Sequence, residues 1–161
     1  MKKSNIYVFS RPIRTGKTTE LMRWLEGKTN IAGILSPDVD GVRSLLDLHS
    51  RELRPLETAP GADAVQVGRF CFSLKAFEWA QDILLHPKNE TANWLVIDEV
   101  GKLELDEHGG LEPAIGVLLE KYRKGLGGNL LLVIRDTLLQ KAIHHYNLPD
   151  AVIVHELKEL K

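Results

Sequence analysis

The chain has 161 residues, with 21 Lys and Arg against 22 Asp and Glu, 43% apolar and 27% charged residues. These are the proportions of one folded domain over residues 1–161, neither disordered nor basic enough for a general pull toward nucleic acid or anionic lipid. No apolar run is long enough to span a bilayer, and the Met-Lys-Lys start lacks the apolar core of a secretory signal. Cys71 is the single cysteine, so neither an intramolecular disulfide nor a thiolate zinc cluster is available. A cytoplasmic setting is expected.

Periodicity predicts strands and helices in alternation. Ile6–Ser10 reads as a buried strand, and Lys17–Glu26 as a helix with Leu21, Trp24 and Leu25 at helical spacing and Gly27 as its stop. Ile31–Leu35 is a second buried strand. Segments 42–49 and 53–57 flank the polar break Ser50-Arg51 as an antiparallel hairpin would. Val65–Phe72 reads as one further strand, and Ser73 as the N-cap of a helix over Leu74–Leu85. Trp94–Ile97 is the third buried strand, Glu112–Lys124 a helix with Pro113 in its first turn, and Leu130–Ile134 the fourth strand. A short helix at Thr137–His145 and a strand at Ala151–His155 complete the order. The expected fold is a single α/β domain with a mainly parallel sheet flanked by helices and a β-hairpin insertion near residues 40–60.

The run Arg14-Thr15-Gly16-Lys17-Thr18-Thr19 lies between the first strand and the first helix. Backbone N–H groups in a tight loop and the positive end of the following helix suit phosphate oxygens. In such a loop Lys17 reaches the β and γ phosphates, and the Thr18 hydroxyl is a ligand for Mg²⁺. The usual pattern G-x-x-x-x-G-K-[ST] would place glycine at position 11, where this chain has Arg11. Arg11 and Arg14 could bind phosphate, fill the empty site, or pair with carboxylates. The apolar strand Trp94–Ile97 ends in Asp98-Glu99. Asp98 is placed to support a metal together with Thr18, and Glu99 to deprotonate an attacking water.

These segments resemble a known family. Gly16-Lys17-Thr18-Thr19, the stretch Ala32–Val39 continuing into Val42-Arg43 and Leu46-Asp47-Leu48, and above all Val96–Leu105 are similar to the small nucleoside-triphosphatases. That family includes the cancer-related nucleoside-triphosphatase and its bacterial and archaeal relatives. The resemblance runs from the start of the chain to about residue 125. It implies a P-loop NTPase fold and Mg²⁺-dependent hydrolysis of nucleoside triphosphates such as ATP and GTP. By position, Lys17 and Thr18 would bind phosphate and metal, Asp98 would support the metal and Glu99 would be the base. Gly101 would shape the turn and Glu104 brace it.

Two other functions fit the same residues: a nucleotide-binding switch with little hydrolysis, or a small-molecule or nucleotide kinase whose only candidate cover is the hairpin with Arg43, Arg51 and Arg54. Arg135, beside Asp136, reads either as an internal arginine finger or as an ion-pair partner. Gly125-Leu-Gly127-Gly128 follows a helix and precedes a strand, the reverse of a dinucleotide fingerprint. Adjacent His144-His145 point to different sides of a helix and make no metal pair. Trp24, Trp79 and Trp94 read as packing residues.

Overall fold

The computed structural model describes residues 5–12 and 15–160. Strand β1 (Ile6–Phe9) leads to α1 (Lys17–Leu25) and β2 (Ile31–Leu35), followed by β3 (Asp38–Val39), β4 (Val42–Asp47) and β5 (Leu53–Pro55). Then come β6 (Ala64–Val67), β7 (Phe70–Ser73) and α2 (Leu74–Leu84). The rest is β8 (Trp94–Ile97), α3 (Lys102–Glu107), α4 (Ala114–Arg123), β9 (Asn129–Val133), α5 (Leu139–Tyr146) and β10 (Val152–Val154).

The main sheet runs β10–β1–β9–β8–β2–β4–β3, with β5 paired to β4. From β10 to β2 all neighbours are parallel, whereas β4 is antiparallel to β2, β3 and β5. The expected α/β architecture is therefore present. Apolar side chains alternate between two cores. Leu95, Ile97, Leu130 and Leu132 enter the core shared with α2, α4 and α5. Trp94, Val96, Leu131 and Val133 face the second core with Leu21 and Leu25 of α1. Cover on both faces is why these strands read as continuous apolar runs. In the second core Trp94 packs edge-on against Trp24 at 5.0 Å and tilted against Tyr7 at 5.2 Å, so both tryptophans are packing residues.

Local chemistry sets the helix ends. The Ser73 hydroxyl accepts from the Ala76 amide at 3.1 Å, the expected cap of α2. Gly16 stands before α1 with φ 77°, a left-handed conformation that glycine adopts without strain, and among the described residues no side chain caps this helix. Gly33 in β2 is more constrained: at φ 129°, an added Cβ would lie 2.0 Å from the Val96 carbonyl oxygen of the adjacent strand. Gly33→Ala is therefore expected to cost about 2–3 kcal/mol and lower Tm by roughly 5–10 °C in calorimetry. An unchanged Tm would mean that β2 and β8 can separate freely.

The structure corrects several expected elements. The hairpin expected near residues 40–60 is present, with β4 antiparallel to β5, but it is not an exposed addition. β4 extends the main sheet through β2, with Leu45 and Leu46 buried. The single strand expected at Val65–Phe72 is two strands paired across a turn at Gly68-Arg69. Helix α3 follows the Asp-Glu strand where no helix was predicted, and the helix expected from Thr137 begins as a 3₁₀ turn over Asp136–Leu138.

Candidate functional site

The C-terminal ends of β1, β2, β8 and β9 lie side by side, the edge of an open parallel sheet where ligands bind. β9 separates β1 from β8, so the loop after β1 and the Asp98-Glu99 pair after β8 approach one another across it. Asp98 shares strand parity with Val96, which faces the α1 core, and this parity carries its carboxylate toward α1. There the Thr18 hydroxyl donates to Asp98 Oδ2 at 2.9 Å, and the Ser36 amide donates to the same oxygen at 3.0 Å.

Asp98 is buried at 1% exposure, and its other oxygen, Oδ1, has no hydrogen-bond partner among the described residues. Burial raises its carboxyl above the usual range, against the pull of the Ser36 and Thr18 hydrogen bonds and of Lys17 and Arg43. An orphaned buried carboxylate oxygen beside a hydroxyl is a donor set that suits a hard divalent cation such as Mg²⁺. No group of three or more His, Cys, Asp or Glu among the described residues forms a metal cage. Mg²⁺ does not require one, because it is commonly held by one or two protein oxygens plus water and phosphate.

Glu99 follows in a left-handed conformation with φ 59°. Its carboxyl is pushed up to about 7, first by burial among its neighbours and then by the Asp98 charge, while Arg43 pulls it down. With 41% of the side chain exposed, solvent screens part of these effects. The positive-φ residue of this turn is Glu99; Gly101 is extended at φ −134°. Glu104 braces the turn as expected, accepting from the Gly101 amide at 2.9 Å and the Leu111 amide at 3.0 Å.

In the loop after β1, Lys17 Nζ donates to the Pro12 carbonyl at 3.0 Å, and the Thr15 hydroxyl donates to the same oxygen at 2.7 Å. Burial lowers the Lys17 ammonium, while the charges of Glu99 and Asp98 raise it. Arg11 pairs with neither of those carboxylates. Its guanidinium bonds Glu20 of α1 at 2.8 Å and the Thr15 carbonyl at 3.2 Å, which fastens the loop to its helix. Glu20 also accepts from the Leu157 amide at 3.0 Å. Arg14 lies outside the described residues.

No protein-family model matches the chain, and no curated protein matches it in sequence. Among solved structures it is similar to THEP1 from the hyperthermophile Aquifex aeolicus, with a TM-score of 0.72. The match covers 96% of this chain and 93% of that one at 17% identity. The chain has the P-loop NTPase fold. At that identity the likeness establishes fold and not activity.

Within this P-loop NTPase fold, the expected residues Lys17, Thr18, Asp98 and Glu99 converge, with Thr15 and Gly16 in the loop. Thr19 is exposed on α1. Arg135 makes neither an ion pair with Asp136 nor any other side-chain hydrogen bond among the described residues. Sequence reasoning missed the contributions of Ser36, Asp38 and Arg43. Arg43, read as hairpin cover, instead bonds Glu99 Oε2 through NH1 and Asp38 Oδ1 through Nε at 2.8 Å. The only sequence signal for these residues was their place in the Ala32–Arg43 stretch that resembles the nucleoside-triphosphatases.

Proposed function

We propose that this protein is a Mg²⁺-dependent nucleoside-triphosphatase that hydrolyses ATP or GTP to the diphosphate and phosphate, with Glu99 activating the water. The observation that carries this reading is the Thr18–Asp98 contact, which joins the Gly-Lys-Thr helix to the Asp-Glu strand and leaves Asp98 Oδ1 without a partner among the described residues. The P-loop NTPase fold supports it, as does the sequence resemblance to small nucleoside-triphosphatases.

Thr15, Gly16, Lys17, Thr18 and Thr19, with Arg14, form the nucleotide-binding segment at the start of α1, where backbone N–H groups and the helix dipole favour phosphate. Lys17 leaves the Pro12 carbonyl and neutralises the β and γ phosphate oxygens. Thr18 and Asp98 would hold Mg²⁺, which supplies further charge neutralisation on the phosphates when bound. Glu99 takes a proton from water as the water oxygen bonds to the γ-phosphorus. The bridging P–O bond breaks with its electron pair passing to the diphosphate, and Glu99 later returns its proton to solvent.

Phosphate release from ATP and GTP, with and without Mg²⁺, tests the reading when measured beside calorimetric nucleotide binding. Lys17→Ala is expected to weaken binding by about 10–100-fold and to reduce release in step. A nucleotide-binding switch is the second reading, favoured by the way Lys17 and Thr15 are both satisfied by the Pro12 carbonyl. Tight binding without release would establish it. Release that survives Lys17→Ala unchanged would assign the activity to a different site or a contaminant.

A further inference from the structure

The proposed hydrolysis needs Glu99 to present one carboxylate oxygen to water in a fixed orientation, and the side chain is long, flexible and partly exposed. Glu99 Oε2 is bonded to the Arg43 guanidinium, while Oε1 has no hydrogen-bond partner among the described residues. Arg43 is itself held from two sides. Its Nε donates to Asp38 Oδ1 at 2.8 Å, and its backbone amide donates to Glu57 Oε1 at 2.9 Å. Asp38 and Arg43 are cross-strand partners in the β3–β4 ladder, so the guanidinium starts from a fixed backbone position.

We propose that Arg43 is a positioning residue: it holds Glu99 by Oε2 so that Oε1 is left to receive the proton of the attacking water. This rests on the hydrolase reading above. A planar guanidinium that spans two carboxylates fixes direction as well as distance, which a lysine ammonium does not.

A purely structural role explains the arrangement poorly. A partly exposed ion pair contributes about 0–1 kcal/mol. The segment that carries Arg43 is already secured by the β2–β4 ladder and by buried Leu45 and Leu46. The charge balance points the same way. Asp38, Asp98 and Glu99 bring three carboxylates together, and Arg43 is the cation bonded to the two outer ones, while Lys17 lies on the loop side. Without Arg43, Glu99 would be driven away from Asp38 and Asp98 and out of line with the phosphate.

The test is a double-mutant cycle on the full chain: wild type, Arg43→Ala, Glu99→Gln and the double variant. Phosphate release gives kcat and KM, and calorimetry with a non-hydrolysable ATP analogue gives Kd. Arg43→Ala is expected to lower kcat about 10–100-fold with analogue Kd within about threefold. In the Glu99→Gln background the same change should cost less than about threefold, because Arg43 acts through that carboxylate. Arg43→Lys should recover only part of the loss.

A full additional loss in the Glu99→Gln background, a rise in Kd at unchanged kcat, or no effect at all would overturn the proposal. The first two would indicate direct contact with the nucleotide. Melting curves of each variant report on folding, and if Arg43→Ala fails to fold, Asp38→Asn loosens the same guanidinium and should lower kcat in the same direction. A wild type that releases no phosphate overturns the hydrolase reading and this proposal together. An active wild type with an additive cycle overturns this proposal alone.

Discussion

Glu99→Gln is expected to slow phosphate release about 10²–10⁴-fold, the usual contribution of a general base, while nucleotide affinity changes by less than about threefold. Glutamine keeps the size and the hydrogen-bonding oxygen of the side chain but cannot accept a proton from water. Affinity should survive because the proposed phosphate contacts come from the loop after β1 and the start of α1 rather than from the Glu99 carboxylate. The variant should also fold normally. Its side chain is 41% exposed, and the contact it weakens is a single ion pair to Arg43. Steady-state phosphate release beside calorimetry checks both halves. A rate within fivefold of wild type would remove Glu99 from the base role, whereas a parallel loss of affinity would make it a binding residue.

Glu104→Ala is expected to lower stability by about 3–4 kcal/mol and Tm by roughly 6–16 °C. Glu104 is 4% exposed and accepts from two backbone amides, those of Gly101 and Leu111. Truncation strands both donors and leaves a gap between α3 and the segment that leads into α4. Because the Gly101 amide lies two residues beyond Glu99, activity should fall along with stability.

The same residue predicts a pH dependence. Burial pushes the Glu104 carboxyl up to about 7 against the two amide hydrogen bonds, so the folded state holds its proton more tightly than the unfolded chain. Its contribution is therefore complete below the unfolded value near 4.5 and is lost as pH rises through about 7, by an amount on the order of 3 kcal/mol. Glu104→Gln cannot ionise. Its stability deficit relative to wild type should shrink between pH 5 and pH 8 in denaturant titrations. A deficit that grows over that range would mean that the ionised carboxylate is the favoured form.

The sites of these predictions were unequally legible in the sequence. Lys17, Thr18, Asp98 and Glu99 stood out because each belongs to a short run whose chemistry is local: a Gly-Lys-Thr turn before a helix, and a carboxylate pair after an apolar strand. Helix α3 was harder to foresee. Its six residues bury Leu103, Glu104 and Leu105 in succession, and that pattern lacks the helical spacing that marks α1, α2 and α4. The strand pair 64–67 and 70–73 looks like one strand in the sequence because the turn between them, Gly68-Arg69, is only two residues long.

What the sequence determined by itself is the alternation of buried strands and helices, the polarity of the sheet, and two chemical landmarks at strand ends. All of these depend on the spacing of near neighbours, which any stretch of chain carries within itself. The tertiary structure alone decided how the landmarks are wired. The antiparallel docking of β4 on β2 brings Arg43 onto Glu99 across 56 residues of chain. Asp98 likewise meets Ser36 and Thr18 over separations of 62 and 80 residues. Arg11, which departs from the phosphate-loop pattern, found its partner in Glu20 on α1 rather than in the site carboxylates. Such contacts follow from strand order and register, which place residues together only after both cores have closed on the sheet, so no local pattern announces them.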